Sequence, residues 1–343
     1  MKTPVLLVHH AANRGYVHPP SSLRGLRACL EAGARVVEVD VIPLAGGDFA
    51  LLHDERLDES TNGSGLVSAL TADQVRRLRH TWQGTLTDEP VGLLSQAIAL
   101  LRDHAAPSLQ ELQLDFLSFQ NRSLTANQAA SSLQELQLDF KPGAPPADAV
   151  LHDLLRAVEP VKERVRVTCG EDWVLRRLRA LDPDLPLGFD PLLYLEIDAD
   201  PAVSPEETPD PLPFRVGAYG YRDDHPLALR VWGTPADYLA ARAETLAVLP
   251  PPGGVWYIHG SLLARVLNDG ADEVHPFDWI AYLHARSIQV DVWTLDAGRP
   301  GHVELARRLI AAGVDRITTN DAPRLSEALN EAGQATLSRD VEF

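Results

Sequence analysis

Two carboxylates, Glu38 and Asp40, stand two residues apart inside the run Val-Val-Glu-Val-Asp-Val. Side chains two positions apart on a β-strand point to the same face. A strand so rich in valine is typical of the buried strands of a parallel sheet, where two acids are costly unless they are paired or bind a cation. Hard divalent cations such as Ca²⁺ or Mg²⁺ prefer such ligands. The alternative is a solvent-facing strand with two hydrated acids.

Histidines follow two predicted apolar strands. His9 and His10 come directly after the run VLLV, and His53 ends the run FALL, with an aspartate next to it. Imidazoles titrate near neutral pH, so a pair of them beside a metal ion suits general acid–base catalysis. The alternative is that these histidines only pack in the core or lie on the surface.

An acid and a base, Asp139 and Lys141, are also two residues apart, in the stretch LDFKP. On a strand they share a face, although a surface ion pair is the more common explanation of such a pattern. The strand pattern before them belongs to a repeat, because SLQELQLDF occurs as residues 108–116 and again as 132–140. A single repeat does not indicate a solenoid, and only one copy can fill a given strand.

Short apolar runs alternate with helix-like stretches along the whole chain. Strands are predicted at residues 5–8, 35–41, 49–53, 165–168, 185–189, 255–258, 288–293 and 316–319. Helices are predicted between them, among others at residues 71–79, 93–102, 172–180 and 303–312, and one that Ser21 or Ser22 caps. This alternation predicts parallel strands with crossover helices. An α/β fold of the (β/α)8 TIM-barrel type accounts for about eight such units, and a doubly wound open sheet is the alternative.

The amino-acid composition argues against some classes of binding partner. The chain has 343 residues and a formal net charge of −17, which argues against nucleic acids and anionic membranes. Two cysteines exclude a disulfide framework, and no apolar run is long enough to span a membrane. We therefore expect a soluble, cytoplasmic protein with one domain over residues 1–343, which includes the duplicated segment 108–140 and a Pro-rich excursion at 190–213. The oligomeric state is left open.

Taken together, the motifs resemble the glycerophosphodiester phosphodiesterase family. The stretches that carry the resemblance are LLVHHAANRG, GARVVEVDV, FALLHDERLDESTNGSG, LQLDFKP, LRRLRALDPDLPLG, VDVWTLD and AAGVDRITTNDAPRL. The resemblance implies a TIM barrel that hydrolyses a small-molecule phosphodiester with a divalent metal ion. The implied metal ligands are Glu38, Asp40 and Asp139, and the implied acid–base pair is His9 and His53. We further predict substrate contacts from His10, from Lys141, which can reach the phosphate, and from Trp293. Trp293 ends a strand and would form a wall of the substrate pocket, with a core aromatic as the alternative.

The chain departs from the family pattern at three places. The usual His-Arg-Gly is aligned here with His9, or alternatively with Asn13 in the stretch NRG. The usual Pro-Glu-Asn-Thr is replaced by Pro-Pro-Ser-Ser, which lacks a glutamate. The third acid is Asp139 or, in the first copy of the repeat, Asp115. The spacing from His53 favours Asp115, whereas the Lys-Pro continuation favours Asp139.

The expected reaction is therefore hydrolysis of glycerophosphodiesters to glycerol 3-phosphate and an alcohol. Two alternatives remain: a phospholipase D-like lipid phosphodiesterase of the same superfamily, and a catalytically degenerate barrel that acts as a binding protein. Weaker site candidates are His259, at the end of a strand, and Asn320, which could fix the loop after the last strand.

Overall fold

The computed structural model describes residues 5–105, 133–194, 235–267 and 277–339. It divides into two compact units, one made of Met1–Val8 and Thr168–Phe343 and the other of His9–Val167. The first copy of the repeat, residues 108–116, and most of the Pro-rich stretch 190–213 lie outside the described residues. The prediction of one domain over the whole chain stays a prediction.

The unit His9–Val167 is built on strands that pair in the order β7-β6-β2-β3, with a separate β4-β5 hairpin. Its strands, including two that cross its boundaries, are β1 (Leu6–His9), β2 (Val36–Pro43), β3 (Phe49–Ala50), β4 (Arg79–Trp82), β5 (Thr85–Pro90), β6 (Glu135–Phe140) and β7 (Val165–Cys169). Its α-helices are α1 (Leu23–Glu31), α2 (Leu57–Ser60), α3 (Ala72–Val75), α4 (Leu94–Ala105) and α5 (Asp148–Val158). Short 3-10 helices lie at His10–Ala12, Val67–Ala69 and Glu159–Arg164.

The strand β2 is the centre of this unit. Its valines are almost fully buried, as expected for a strand that is covered on both faces. It pairs in parallel with β6, and the register places Asp40 opposite Asp139. The strand β6 is therefore formed by the second copy of the repeat, and its acid lies beside the acids of β2.

Two predicted elements of this unit were wrong. The strand expected at residues 49–53 is only two residues long, and it pairs antiparallel with the end of β2. The reason is the short link between β2 and β3, because a parallel strand needs a crossover connection of about a dozen residues or more. The helix expected at residues 71–79 ends at Val75. It is followed by the β4-β5 hairpin, whose own turn contains Gln83 and Gly84 with positive φ.

The other unit contains β8 (Leu187–Phe189), β9 (Val255–His259), β10 (Gln289–Trp293) and β11 (Arg316–Thr319). Its α-helices are α6 (Asp172–Leu181), α7 (Pro235–Leu246), α8 (Gly260–Val266), α9 (Trp279–His284), α10 (His302–Ala312) and α11 (Ala322–Arg339), with a 3-10 helix at Pro191–Tyr194. The strands follow the order β8-β9-β10-β11-β1, and β9 pairs in parallel with both β8 and β10.

Strand–helix alternation therefore continues through both units. The parallel strands β1, β2, β6, β7, β8, β9, β10 and β11 and their helices form a (β/α)8 TIM barrel, which confirms the predicted fold class. Among the described helices, none combines the length and the apolar character that crossing a bilayer requires.

Candidate active site

Three carboxylates converge near the ends of two neighbouring strands. Glu38 and Asp40 come from β2, and Asp139 comes from β6. Each offers one carboxylate oxygen such that the three oxygens lie within 4.8 Å of one another. Because the carboxyl ends of barrel strands are where functional groups gather in TIM barrels, this acidic cluster, which we define as Glu38, Asp40 and Asp139, is the candidate metal centre.

Among the described residues, only one of the two carboxylate oxygens of Glu38 accepts a hydrogen bond. It is 8% exposed, and its Oε2 accepts a hydrogen bond of 2.5 Å from the backbone N–H of Ala11. Its Oε1 is buried and has no hydrogen-bond partner in the described part of the chain. Burial raises the pKa of Glu38 well above its ordinary value, and the charges of Asp40 and Asp139 add to that effect. A bound cation would offset both costs.

Asp40 is held by a serine that lies far from it in sequence. It is 2% exposed, and its Oδ2 accepts a hydrogen bond of 2.9 Å from Ser21 Oγ. The backbone N–H of Asp40 donates to the same Oγ, also at 2.9 Å. The other oxygen, Oδ1, lies 3.5 Å from Lys141 Nζ. Ser21 was expected only as a possible helix cap, and the structure gives that role to Ser22, which accepts from the N–H of Gly25.

Lys141 supplies a positive charge at the acidic cluster. Its Nζ lies 2.8 Å from Asp139 Oδ2, as expected for residues on one face of the chain. Burial opposes the charged form, but the carboxylates of Asp139 and Asp40 outweigh it and raise the pKa of Lys141 above its ordinary value. Lys141 is therefore an ammonium ion at the edge of the candidate centre.

The two adjacent histidines differ in their surroundings. His10 Nε2 lies 3.9 Å from Glu38 Oε2, so its ring borders the acidic cluster. His9 Nδ1 lies 3.9 Å from Cys29 Sγ, on α1. Burial raises the pKa of the Cys29 thiol to about 11, so Cys29 is a neutral packing partner. The structure thus brings the His10 ring to the acidic cluster.

His53 lies on an exposed loop after β3, and its side chain is 61% exposed. Its Nδ1 is 2.8 Å from Asp54 Oδ1, a contact that fixes the orientation of the ring. Glu55, two residues after His53, lies next to Gly143 in the loop that follows Lys141. The approach is close, because a Cβ built on Gly143 would lie 2.8 Å from Glu55 Oε1. Gly143 has φ +67, so it serves both the turn and this close approach.

Trp293 belongs to the other unit, where it ends β10. It is opposite His259 in the register of β9 and β10, and the two rings meet edge to face at 5.0 Å. Asn320 donates from both its backbone and its side chain to Asp296, at 2.8 and 2.9 Å. Asn320, which follows β11, is therefore hydrogen-bonded to the loop that follows β10.

The geometry can be compared with known proteins. The model of the glycerophosphoryl diester phosphodiesterase family matches residues 11–139, a stretch that begins just after His10 and contains the whole acidic cluster. In this stretch the chain is similar to the family. The matched stretch includes Asn13 and excludes His9, so both alignments of the first histidine motif stay open.

Curated glycerophosphodiester phosphodiesterases match a part of the chain. The human glycerophosphodiester phosphodiesterase 1 is 27% identical over 136 residues, which are 34% of this chain and 41% of that protein. The glycerophosphodiester phosphodiesterase of Caldanaerobacter subterraneus is 32% identical over 78 residues, 23% of this chain and 31% of its own. The chain thus matches less than half the length of each of these relatives.

Solved structures in the family match the fold along the whole chain. A glycerophosphodiester phosphodiesterase from Parabacteroides distasonis has a TM-score of 0.61 at 16% identity, and the match covers 97% of this chain and all of that one. A phosphodiesterase from Oleispira antarctica, solved in complex with the product sn-glycerol-3-phosphate, has a TM-score of 0.58 at 16% identity, over 95% and 96% of the two chains. These likenesses support the TIM-barrel assignment.

Proposed function

We propose that this protein is a phosphoric diester hydrolase that cleaves glycerophosphodiesters to glycerol 3-phosphate and an alcohol. The observation that carries the proposal is the convergence of Glu38, Asp40 and Asp139, with oxygens within 4.8 Å of one another, in a stretch that matches the model of the glycerophosphoryl diester phosphodiesterase family. The product found with the Oleispira antarctica relative is the one that this reaction would release.

The residues fit a divalent cation. All three donors are carboxylates, which suit Ca²⁺ or Mg²⁺ better than softer metals. Glu38 Oε1 is buried without a hydrogen bond among the described residues, and such an atom is costly unless a ligand satisfies it. When bound there, a divalent ion would stabilise the negative charge that builds up on a phosphate oxygen.

Lys141 would bind the substrate phosphate from the side. Its ammonium lies near both Asp139 and Asp40, so its charge would be close to a phosphate oxygen bound at the acidic cluster. A lysine provides a compact charge with three donors. Its role in the proposal is to hold the phosphate and to balance its charge.

His53 would be one member of the acid–base pair. The carboxylate of Asp54 accepts from Nδ1, which fixes the tautomer whose Nε2 carries the free lone pair. That nitrogen can take the proton from the attacking hydroxyl or water. The exposed position of His53 lets it reach a substrate that enters from solvent.

The second imidazole would protonate the leaving alcohol. His9 was the residue predicted for this role, and His10 was predicted as a substrate contact. The position of His10 beside Glu38 favours His10 for the acid–base role, with His9 as the alternative. Trp293 as a wall of the substrate pocket stays a prediction.

The activity is tested with purified protein and glycerophosphocholine. We expect glycerol 3-phosphate to be released, the release to stop with EDTA, and Mg²⁺ or Ca²⁺ to restore it. Lysophosphatidylcholine as a second substrate tests the lipid phosphodiesterase alternative. No release of glycerol 3-phosphate at any metal concentration would overturn the proposal and favour the degenerate barrel.

A further inference from the structure

The two acids of β2 are anchored in the same way. In Glu38, the oxygen Oε2 accepts from the N–H of Ala11, whereas Oε1 makes no hydrogen bond in the described residues. In Asp40, the oxygen Oδ2 accepts from Ser21, whereas Oδ1 faces Lys141. Each carboxylate therefore has one oxygen held by the segment between β1 and α1, and a second oxygen for which the described residues of that segment provide no hydrogen bond.

The two residues that hold these acids, Ala11 and Ser21, are themselves joined by a hydrogen bond. The backbone N–H of Ser21 donates to the carbonyl of Ala11 at 2.6 Å, so one short link connects the group that holds Glu38 with the group that holds Asp40. Ser21 has no exposed surface. The backbone positions of Ala11 and Ser21 are thereby fixed relative to each other.

Ser21 also has an unusual backbone conformation. Its φ is +56, a left-handed value that glycine adopts readily and that other residues avoid. A glycine would satisfy the turn at less cost, so the turn alone does not explain a serine here. The hydroxyl is used twice, as an acceptor from the N–H of Asp40 and as a donor to its carboxylate.

We propose that Ser21 is a positioning residue for the metal centre, which it serves by orienting Asp40. The inference rests on the proposed metal binding and extends it to a residue outside the ligands. Contacts behind a metal ligand fix its orientation, and their loss typically weakens metal binding about 10- to 100-fold. Ser21 acts on the ligand and touches neither the substrate nor the reacting atoms.

The chain offers a matched control at the next position. Ser22 is equally buried, but its hydroxyl caps α1 by accepting from Gly25 and makes no contact with Asp40. The substitutions Ser21→Gly and Ser22→Gly remove the same group from neighbouring serines. Ser21→Ala is a second variant, because alanine also lacks the hydroxyl but disfavours the left-handed backbone.

The experiment measures Mg²⁺ and Mn²⁺ binding by calorimetry on the full chain, together with the thermal midpoint and the metal concentration for half-maximal turnover. We expect both Ser21 variants to raise the metal dissociation constant about 10-fold or more, although Ser21→Gly is the more stable of the two. Turnover of both should recover at saturating metal. Ser22→Gly should bind metal as the wild type does.

Three results would contradict this. Wild-type affinity in Ser21→Gly, with loss only in Ser21→Ala, would show that backbone strain and not the hydroxyl matters. An equal loss of metal affinity in Ser22→Gly would show that any change in the segment between β1 and α1 weakens metal binding. Absence of metal binding by the wild type would overturn the metal centre itself and this inference with it, an outcome distinct from the failure of Ser21 alone.

Discussion

Asp40 and Asp139 stand opposite each other in the parallel register of β2 and β6. Neighbouring positions in register point the same way, so the two carboxylates leave the sheet side by side. Glu38, two residues before Asp40, points to the same face. The candidate metal centre is therefore a direct consequence of strand pairing, and its position depends on which copy of the repeat pairs with β2.

The first prediction concerns Glu38→Gln. The amide keeps the shape but removes a negative charge that is buried beside two others, so metal binding should be lost and turnover should fall about 100-fold or more. The metal-free variant should be more stable than the metal-free wild type, by about 1–2 kcal/mol. Turnover assays and denaturant unfolding in EDTA measure the two effects.

An exposed acid is the control for that experiment. Asp73 pairs with Arg76 at the surface, and Asp73→Asn should change neither turnover nor the metal-free stability by a large amount. Normal turnover of Glu38→Gln in the presence of metal would contradict the role given to Glu38.

The second prediction is that Lys141→Met changes substrate binding and metal binding in opposite directions. Loss of the ammonium should weaken the phosphate contact and lower kcat/KM at least about 10-fold. The same loss removes a cation that competes for the carboxylates, so the metal dissociation constant should stay equal or fall. The two constants are measured by kinetics and by calorimetry.

Lys162 is the matched control, because it lies in the 3-10 helix before β7, at the opposite end of the strands from the acidic cluster. Lys162→Met should leave both constants unchanged. Weaker metal binding in Lys141→Met would show that the lysine supports the centre in a way other than the one proposed.

The third prediction separates the two adjacent histidines. If His10 is the acid–base partner of His53, His10→Asn should lower kcat about 100-fold or more, whereas His9→Asn should act mainly on stability through its contact with α1. Steady-state kinetics together with thermal melting give both readouts. A kcat loss in His9→Asn as large as that in His53→Asn, with His10→Asn near wild type, would restore the original assignment of His9.

The fourth prediction concerns stability in acid. His80 in β4 is 2% exposed, and burial lowers its pKa to about 4. Between about pH 6.5 and 4, His80 is protonated in the unfolded chain but stays neutral in the folded chain, so the free energy of unfolding falls as the pH falls. The loss attributable to this group is up to about 3 kcal/mol.

The test replaces His80 and compares how steeply the free energy of unfolding changes with pH. His80→Gln cannot be protonated, so its free energy of unfolding should fall less steeply between pH 6.5 and 4 than that of the wild type. His152→Gln, a change at an exposed histidine of α5, should keep the wild-type slope. Equal slopes for the wild type and His80→Gln would contradict the burial argument.

The sequence predicted those parts of the site that follow from strand periodicity. Glu38 and Asp40 share a face because they are two residues apart, and the surrounding valines indicate a buried strand. The sequence could not choose between Asp115 and Asp139, because the nine residues that carry them are identical. Strand pairing with β2 places Asp139 in the cluster.

Ser21 and the segment after His9 were beyond sequence reasoning for a different reason. Left-handed backbone at non-glycine residues, as at Ala11 and Ser21, leaves no regular pattern in the sequence, and the contact of Ser21 with Asp40 spans 19 positions. The β3 strand was mistaken for a barrel strand because its composition is right, whereas the short link from β2 determines its direction.

The most direct test of the account is a crystal structure of the protein with Mn²⁺, examined by anomalous scattering. We expect one ion within about 2.0–2.6 Å of carboxylate oxygens from Glu38, Asp40 and Asp139. The same crystals should show Lys141 directed away from the ion and towards a phosphate soaked into the site. An ion bound elsewhere on the chain, or none at all at these three residues, would contradict the metal centre on which the proposed hydrolysis depends.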